Sequence, residues 1–211
     1  MEYVKIPNIF KREEFGKNRI IEGEYSTPEL KYLAELPWAW SEKVDGTNVR
    51  IIWDGHRVSF GGRTDNAQIP SHLVNRLNEL FSGTNKEELF EQTFGEKNVI
   101  LFGEGFGQKI QSGGLYGPTD FILFDVLIDQ MWLQRKSVKD IANVFGLRCV
   151  PIVGVGTLPD AVEFIRSHPK SNLRDAEMEG IVCRPFQELS DRRGNRIIVK
   201  IKCRDFTKPE A

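Results

Sequence analysis

Hydrophobic and polar residues along this chain follow two periods, and the switches between them mark out its elements. Trp38-Ala39-Trp40-Ser41-Glu42-Lys43 alternates in strand fashion. Two further alternating runs, Thr47 to Trp53 and His56 to Gly61, flank Asp54-Gly55, a dipeptide that predicts a hairpin. Helical spacing of Leu73, Leu77 and Leu80 predicts a helix from Ser71 to Phe81, with Ser71 as its cap. A second helix is expected from Asn85 to Phe94. Thr27-Pro28 pairs a good N-cap with a residue suited to the first helical position, so a helix should run to about Leu36, before Pro37. A capping box at Ser137 to Asp140 should open a helix closing at Gly146. Another helix is expected from Asp160 to His168.

The remaining apolar runs read as strands. Val99 to Phe102 is short and buried, ending in Gly103-Glu104-Gly105-Phe106-Gly107, after which a glycine-rich loop reaches Gly117. Asp120 to Ile128 is apolar except for Asp125. Val150 to Val155 and the run ending in Arg184 follow, then a polar turn at Asp191 to Asn195. Ile197 to Cys203 alternates, so Lys200 and Lys202 share one strand face.

With 211 residues, the chain makes one large domain or two small ones and needs no covalent staples. A net charge of −1 means that any nucleic-acid contact must come from local patches. Cys149, Cys183 and Cys203 form no C-x-x-C pair, which argues against a zinc site or a disulfide framework. They are expected as buried thiols in a reducing, cytoplasmic setting. Residues Met1 to Phe10 lack a signal-peptide core, and no apolar run approaches the ~20 residues of a membrane span.

The chemistry collects on a few polar residues. Lys43 sits at the tip of an apolar run in Lys43-Val44-Asp45-Gly46. A lysine amine, with an ordinary pKa of about 10.4, attacks only if nearby cations or desolvation free it from its proton. Taken alone, this stretch reads as a solvated lysine before a turn. Glu104 lies between glycines that allow close approach, or is simply a loop carboxylate. Asp125 within an apolar strand needs a wet face or a partner. Glu177 and Glu179 stand at the mouth of a buried strand. Lys200 and Lys202 either flank an anion or guard an edge strand against aggregation.

Together these stretches resemble the covalent nucleotidyltransferases, the superfamily of polynucleotide ligases and RNA capping enzymes. Five collinear motifs carry the resemblance: Lys43-Val44-Asp45-Gly46-Thr47-Asn48, Phe102-Gly103-Glu104, Phe121 to Asp125, Glu179-Gly180-Ile181-Val182 and Val199-Lys200-Ile201-Lys202. Asn48 and Arg63 look most like the RNA ligase 2 and RNA-editing ligase branch, which often carries a histidine where this chain has Asp45.

The resemblance implies an α+β fold of the nucleotidyltransferase (ATP-grasp-like) kind, with antiparallel sheets, flanking helices and a central nucleotide pocket. It implies a single adenylyltransferase domain over residues 1–211 without a C-terminal nucleic-acid-binding module, acting as a monomer. Lys43 would attack the α-phosphate of ATP and become lysyl-AMP. The AMP would pass to a 5′-phosphate RNA end, which a 3′-OH then seals. Lys200 and Lys202 would stabilise the α-phosphate and disfavour protonated Lys43. Glu179 would hold Mg2+ or Mn2+, Glu104 the ribose, and Phe124 would stack on adenine with Glu42 at the base edge. Asp45 belongs to the nucleotide-binding set, and Asn48 and Arg63 would lie near ribose and phosphate. RNA phosphates would meet local groups such as Arg184, Arg192, Arg193, Arg196 and Arg204. A DNA ligase, a capping-type guanylyltransferase or a non-catalytic nucleotide-binding module are the alternative readings.

Overall fold

The structure, a computed structural model, describes residues 1–206. In chain order the strands and helices are β1 (Phe10–Arg12), β2 (Ile20–Tyr25), α1 (Pro28–Tyr32), β3 (Trp38–Glu42), β4 (Thr47–Trp53), β5 (Val58–Gly62), α2 (Ser71–Phe81), α3 (Thr84–Phe94), β6 (Val99–Phe106), β7 (Asp120–Ile128), β8 (Met131–Trp132), α4 (Arg135–Val144), β9 (Arg148–Cys149), β10 (Ile152–Gly156), α5 (Leu158–Arg166), β11 (Gly180–Pro185) and β12 (Val199–Lys202). They form two compact units. The Asp125 unit comprises Met1–Val4 and Val44–Val150; the Lys43 unit comprises Lys5–Lys43 and the described chain from Pro151 onward.

In the Asp125 unit the strands lie in the order β5-β4-β6-β7-β8, with β9 beside β7. All pairs are antiparallel except β7 with β9. Strand alternation sends Val49, Ile51 and Trp53 of β4, Val99 and Leu101 of β6, and Phe121 and Leu123 of β7 to one face. There they pack with Leu73, Leu77 and Phe81 of α2, Phe90 of α3, and Val138 and Ala142 of α4. Strand β6 runs on to Phe106, beyond the expected stop at Phe102. Its glycines are what allow this. A Cβ on Gly103 would stand 2.2 Å from the Phe121 ring, and one on Gly105 would stand 2.3 Å from Leu73. The glycines admit neighbouring side chains rather than break the strand.

The Lys43 unit holds a four-stranded antiparallel sheet in the order β10-β3-β11-β12, with a separate β1–β2 hairpin. Trp38 and Trp40 of β3, Ile181 and Cys183 of β11, and Val199 and Ile201 of β12 pack against Leu30 of α1 and against Leu158, Ala161 and Ile165 of α5. The alternate β12 residues, Lys200 and Lys202, therefore stand on the opposite face of the sheet from these helices.

Several local expectations shift. Thr27 caps α1 as expected, but that helix ends at Tyr32 rather than Leu36. Pro70 occupies the α2 cap position and Ser71 makes no cap bond. Helix α4 opens at Arg135, before Ser137, without a side-chain cap. The Arg135 guanidinium donates to the carbonyls of Phe124 (2.7 Å) and Val150 (2.6 Å), so tertiary anchoring sets this start. The capping box that does form joins Thr157 and Asp160 at α5. In the hairpin the loop is longer than Asp54-Gly55, because Asp54 Oδ1 accepts the amides of His56 and Arg57. These bonds also lower the Asp54 pKa. Cys183 and Cys203 are buried, Cys149 is half-buried, and all three are free thiols. Among the described residues, no helix is long and apolar enough to cross a membrane.

Candidate functional site

In the Lys43 unit, strand pairing gathers charge at one end of the sheet. The Lys43 amide donates to the Gly180 carbonyl at 2.9 Å, just beyond β3. Gly180 lies opposite Lys202 in the β11–β12 register, and a Cβ there would stand 2.1 Å from the Ile201 carbonyl oxygen. Only glycine lets the strands close here, and that closure brings Glu179 up to the lysines. Lys43 Nζ donates to Glu179 Oε2 at 2.6 Å, and Lys202 Nζ donates to Glu179 Oε1 at 2.8 Å. The three side chains keep 23%, 14% and 14% of their surface exposed for Lys43, Lys202 and Glu179, so solvent and ligands reach them.

Lys200 stands beside this cluster without a carboxylate of its own. Burial, and then the charges of Lys202, Lys43 and Lys5, lower its pKa to about 8; Glu179 opposes this. Three lysines around one carboxylate make a surplus of positive charge suited to a phosphate. Glu179 is a single carboxylate, and no group of three or more His, Cys, Asp or Glu side chains forms a metal cluster among the described residues. That donor set fits an ion bound in the manner of Mg2+, through one carboxylate with phosphate oxygens and water completing the shell.

Glu42 is 2% exposed and shares the β3 face of Trp40. Its carboxylate accepts from the Ser171 hydroxyl and from the Asn172 amide at 2.9 Å, so its oxygens hold the loop before β11. In the same loop Glu177 Oε1 accepts from His168 Nδ1 at 2.8 Å, and its backbone carbonyl takes the Arg174 guanidinium.

The Asp125 unit carries the other expected site residues. Asn48 and Glu104 face each other across β4 and β6, and Glu104 lies opposite Ile122 on β7. Asn48, Glu104 and Phe124 share the sheet face turned away from α2, α3 and α4. Asn48 Oδ1 is buried without a hydrogen-bond partner. Phe124 is half-buried and lies outside the core clusters. The Asp45 amide donates to the Tyr116 hydroxyl at 3.1 Å. Arg63 has an exposed side chain, and its carbonyl accepts from the Tyr3 amide at 3.3 Å. Asp125 is wholly buried and accepts from the Tyr3 hydroxyl at 2.8 Å.

The family model of RNA ligases matches residues 36–202. The chain belongs to the RNA ligase family. Solved structures of similar fold include the Naegleria gruberi RNA ligase with pyrophosphate, at 21% identity and a TM-score of 0.60, covering 83% of this chain and 52% of that one. A variant of the same enzyme with ATP and Mn gives 18% identity and a TM-score of 0.62, covering 96% and 60%. A putative ATP-dependent DNA ligase from Aquifex aeolicus gives 20% identity and a TM-score of 0.60, covering 94% and 49%. The chain therefore spans about half the length of such neighbours, and at these identities the likeness speaks to fold: the mixed helical and antiparallel-sheet architecture of nucleotidyltransferase-type ligases.

For this RNA ligase family member, sequence reasoning missed Tyr3, Tyr116, Ser171 and Asn172. Their partners lie far away along the chain, with 122 positions between Tyr3 and Asp125 and 129 between Ser171 and Glu42, so no local spacing announces them. Of the arginines expected at RNA phosphates, Arg196 pairs with Glu188 at 2.8 Å and Arg184 is buried, while Arg192, Arg193 and Arg204 are exposed.

Proposed function

We propose that the chain is an ATP-dependent RNA ligase that works through a lysyl-AMP intermediate. The observation that carries this reading is the Lys43–Glu179–Lys202 cluster with Lys200 beside it, inside the segment matched to the RNA ligase family. In the first step Lys43 Nζ, having lost a proton, forms a bond to the α-phosphorus of ATP. The bond from that phosphorus to the bridging oxygen breaks, and pyrophosphate leaves with the electron pair. In the second step a 5′-phosphate oxygen of RNA attacks the same phosphorus and the P–N bond breaks. In the third step a 3′-OH attacks the 5′-phosphate and AMP leaves.

The residues of the chain supply charge and position. Lys200 and Lys202 stabilise the negative charge that gathers on the α-phosphate. A phosphate arriving at the cluster competes with Glu179 for the ammonium groups. A divalent cation, Mg2+ or Mn2+, would be held by Glu179 and would neutralise phosphate charge there. Glu104 is proposed at the ribose, Phe124 at the adenine face, Glu42 at the base edge, and Asp45, Asn48 and Arg63 around ribose and phosphate. The orphaned Asn48 Oδ1 and the half-buried Phe124 ring support their share of this assignment. The Naegleria neighbours that hold AMP or ATP with Mn support the choice of nucleotide and metal. The free thiols suit a cytoplasmic setting.

Incubation with labelled ATP should leave a covalent AMP adduct on the protein, and GTP should label it far less. Three nicked duplexes then separate RNA from DNA ligase activity: the 3′-OH strand is all RNA, RNA ending in one deoxynucleotide, or all DNA. Sealing of the all-DNA nick as fast as the RNA one would replace this reading with the DNA ligase one, which the likeness to the Aquifex protein keeps in view.

A further inference from the structure

In the Lys43 unit an open cavity of about 690 Å3 lies beside the ends of β1, β2 and α5. It is not part of the lysine–carboxylate cluster. Its walls include Arg166 of α5 and Phe206, which belong to the helical side of the sheet, whereas Lys200 and Lys202 occupy the opposite face.

Five cationic side chains and two carboxylates line this cavity. Both carboxylates are already committed. Asp205 takes a two-pronged bond from Arg12 at 2.8 and 2.6 Å, and Glu22 pairs with Arg166. Arg166 also lies over the Phe206 ring at 5.3 Å. These pairs brace the walls. They leave the side chains of Lys17, Arg19 and Arg204 exposed, with no partner among the described residues. The Glu13 carboxylate is turned to the Arg19 amide at 3.4 Å. Five cations against two carboxylates in the lining leave a positive surplus around one concavity, in a chain of net charge −1, and form a local anion site.

We infer that this cavity binds the phosphodiester backbone of an RNA strand, as a contact separate from the adenylylation chemistry; the choice of RNA rests on the proposed ligase function. Two of the free cations come from the β1–β2 loop and one from the segment after β12, so two separate stretches of the chain present charge to the cavity. No base is read here. The aromatic side chain of the cavity, Phe206, is buried and already covered by Arg166, so the contact positions a strand without specifying its sequence.

The test is fluorescence anisotropy of a labelled single-stranded RNA with the wild-type chain and with the triple variant Lys17→Ala/Arg19→Ala/Arg204→Ala, across a salt series. The triple variant should bind roughly tenfold more weakly. Its slope of log affinity against log salt should flatten by about 2, the loss of three contacts at ~0.7 each on a single strand. AMP-adduct formation and the thermal midpoint should stay unchanged, and Arg204→Lys, which keeps the charge, should bind as wild type. Unchanged affinity and slope in the triple variant would overturn the proposal. So would displacement of the RNA from the wild type by inorganic phosphate at constant ionic strength, because the cavity would then be a free-phosphate site. The ligase reading fails separately: absence of the adduct from the wild type sinks it, while cation-dependent RNA binding would keep the cavity assignment.

Discussion

Asp125 and Glu179 are both carboxylates set among strands, and they are handled in opposite ways. Asp125 is wholly buried in β7 and accepts a hydrogen bond from a neutral hydroxyl, that of Tyr3. The Tyr3 ring is itself enclosed by Phe102, Phe124 and Trp132, with centroids at 4.9, 5.2 and 5.9 Å. Glu179 keeps some exposure and is held by two ammonium groups. A buried polar group is costly to leave unpaired, so the Asp125 arrangement is a fixed joint tying the N-terminal segment to the sheet. The buried Arg50 strengthens that joint by donating to the Met1 carbonyl at 2.9 Å. The partners of Glu179 are solvent-accessible cations, and an arriving phosphate can take its place. One carboxylate organises the fold, and the other is the one that the proposed function assigns to chemistry.

Breaking the Glu179 side should have the larger effect. Lys43→Ala and Lys43→Arg should each reduce AMP-adduct formation below detection while far-ultraviolet circular dichroism stays native; arginine keeps the charge but cannot deprotonate. An adduct surviving in Lys43→Arg would place the nucleophile elsewhere. Glu179→Gln should slow adduct formation by roughly 100-fold or more, the scale on which single electrostatic groups act in catalysis. It should also cost some stability, because it leaves the largely buried Lys43 and Lys202 without their carboxylate. An unimpaired rate in Glu179→Gln would make this ion pair merely structural.

Breaking the Asp125 side should reverse the pattern. Tyr3→Phe leaves a buried carboxylate without that donor and should cost about 1–3 kcal/mol in urea unfolding. In a double-mutant cycle, Tyr3→Phe with Asp125→Asn should be non-additive by at least about 0.5 kcal/mol. Additive losses would mean that the hydroxyl and the carboxylate are not coupled.

The smallest effect expected is a pH dependence at Lys200. Its folded pKa of about 8 lies below the ordinary lysine value of 10.5. The unfolded chain therefore binds more protons between those values, and this group's contribution to stability rises with pH across that window. Ligand binding should show the opposite trend, because the deprotonated amine offers a phosphate no charge. Pyrophosphate affinity should weaken as pH rises through about 8 in the wild type and stay flatter in Lys200→Arg, measured by isothermal titration calorimetry. Parallel profiles for the two proteins would remove Lys200 from the phosphate contacts.

Much of this was legible along the chain. Period-two alternation placed β3, β4 and the lysine face of β12, because a strand's two faces are written in neighbouring residues, and a continuous apolar run placed β7. Helical spacing placed α2 and α3 for the same reason. The N-terminal hairpin escaped this reading, since β2 is exposed over most of its length and carries no apolar alternation. The end of β6 was misplaced because glycine signals a break or a close approach equally well, and only the Phe121 ring against Gly103 decides between them.

By itself the sequence determined the five helices and most of the longer strands, the five collinear motifs, and the presence of a lysine, a carboxylate and two further lysines suited to phosphate chemistry. Those are properties of residue type and short spacing. Only the tertiary structure decided that Glu179 stands between Lys43 and Lys202, that Asp125 is matched by Tyr3, that the Glu42 oxygens hold Ser171 and Asn172, and that Arg12 and Arg166 consume the carboxylates of a basic cavity. The physical reason is range. Backbone preference and hydrophobic period act over a few residues, whereas the cost of burying a polar group is settled by whichever partner the folded chain brings within hydrogen-bond distance.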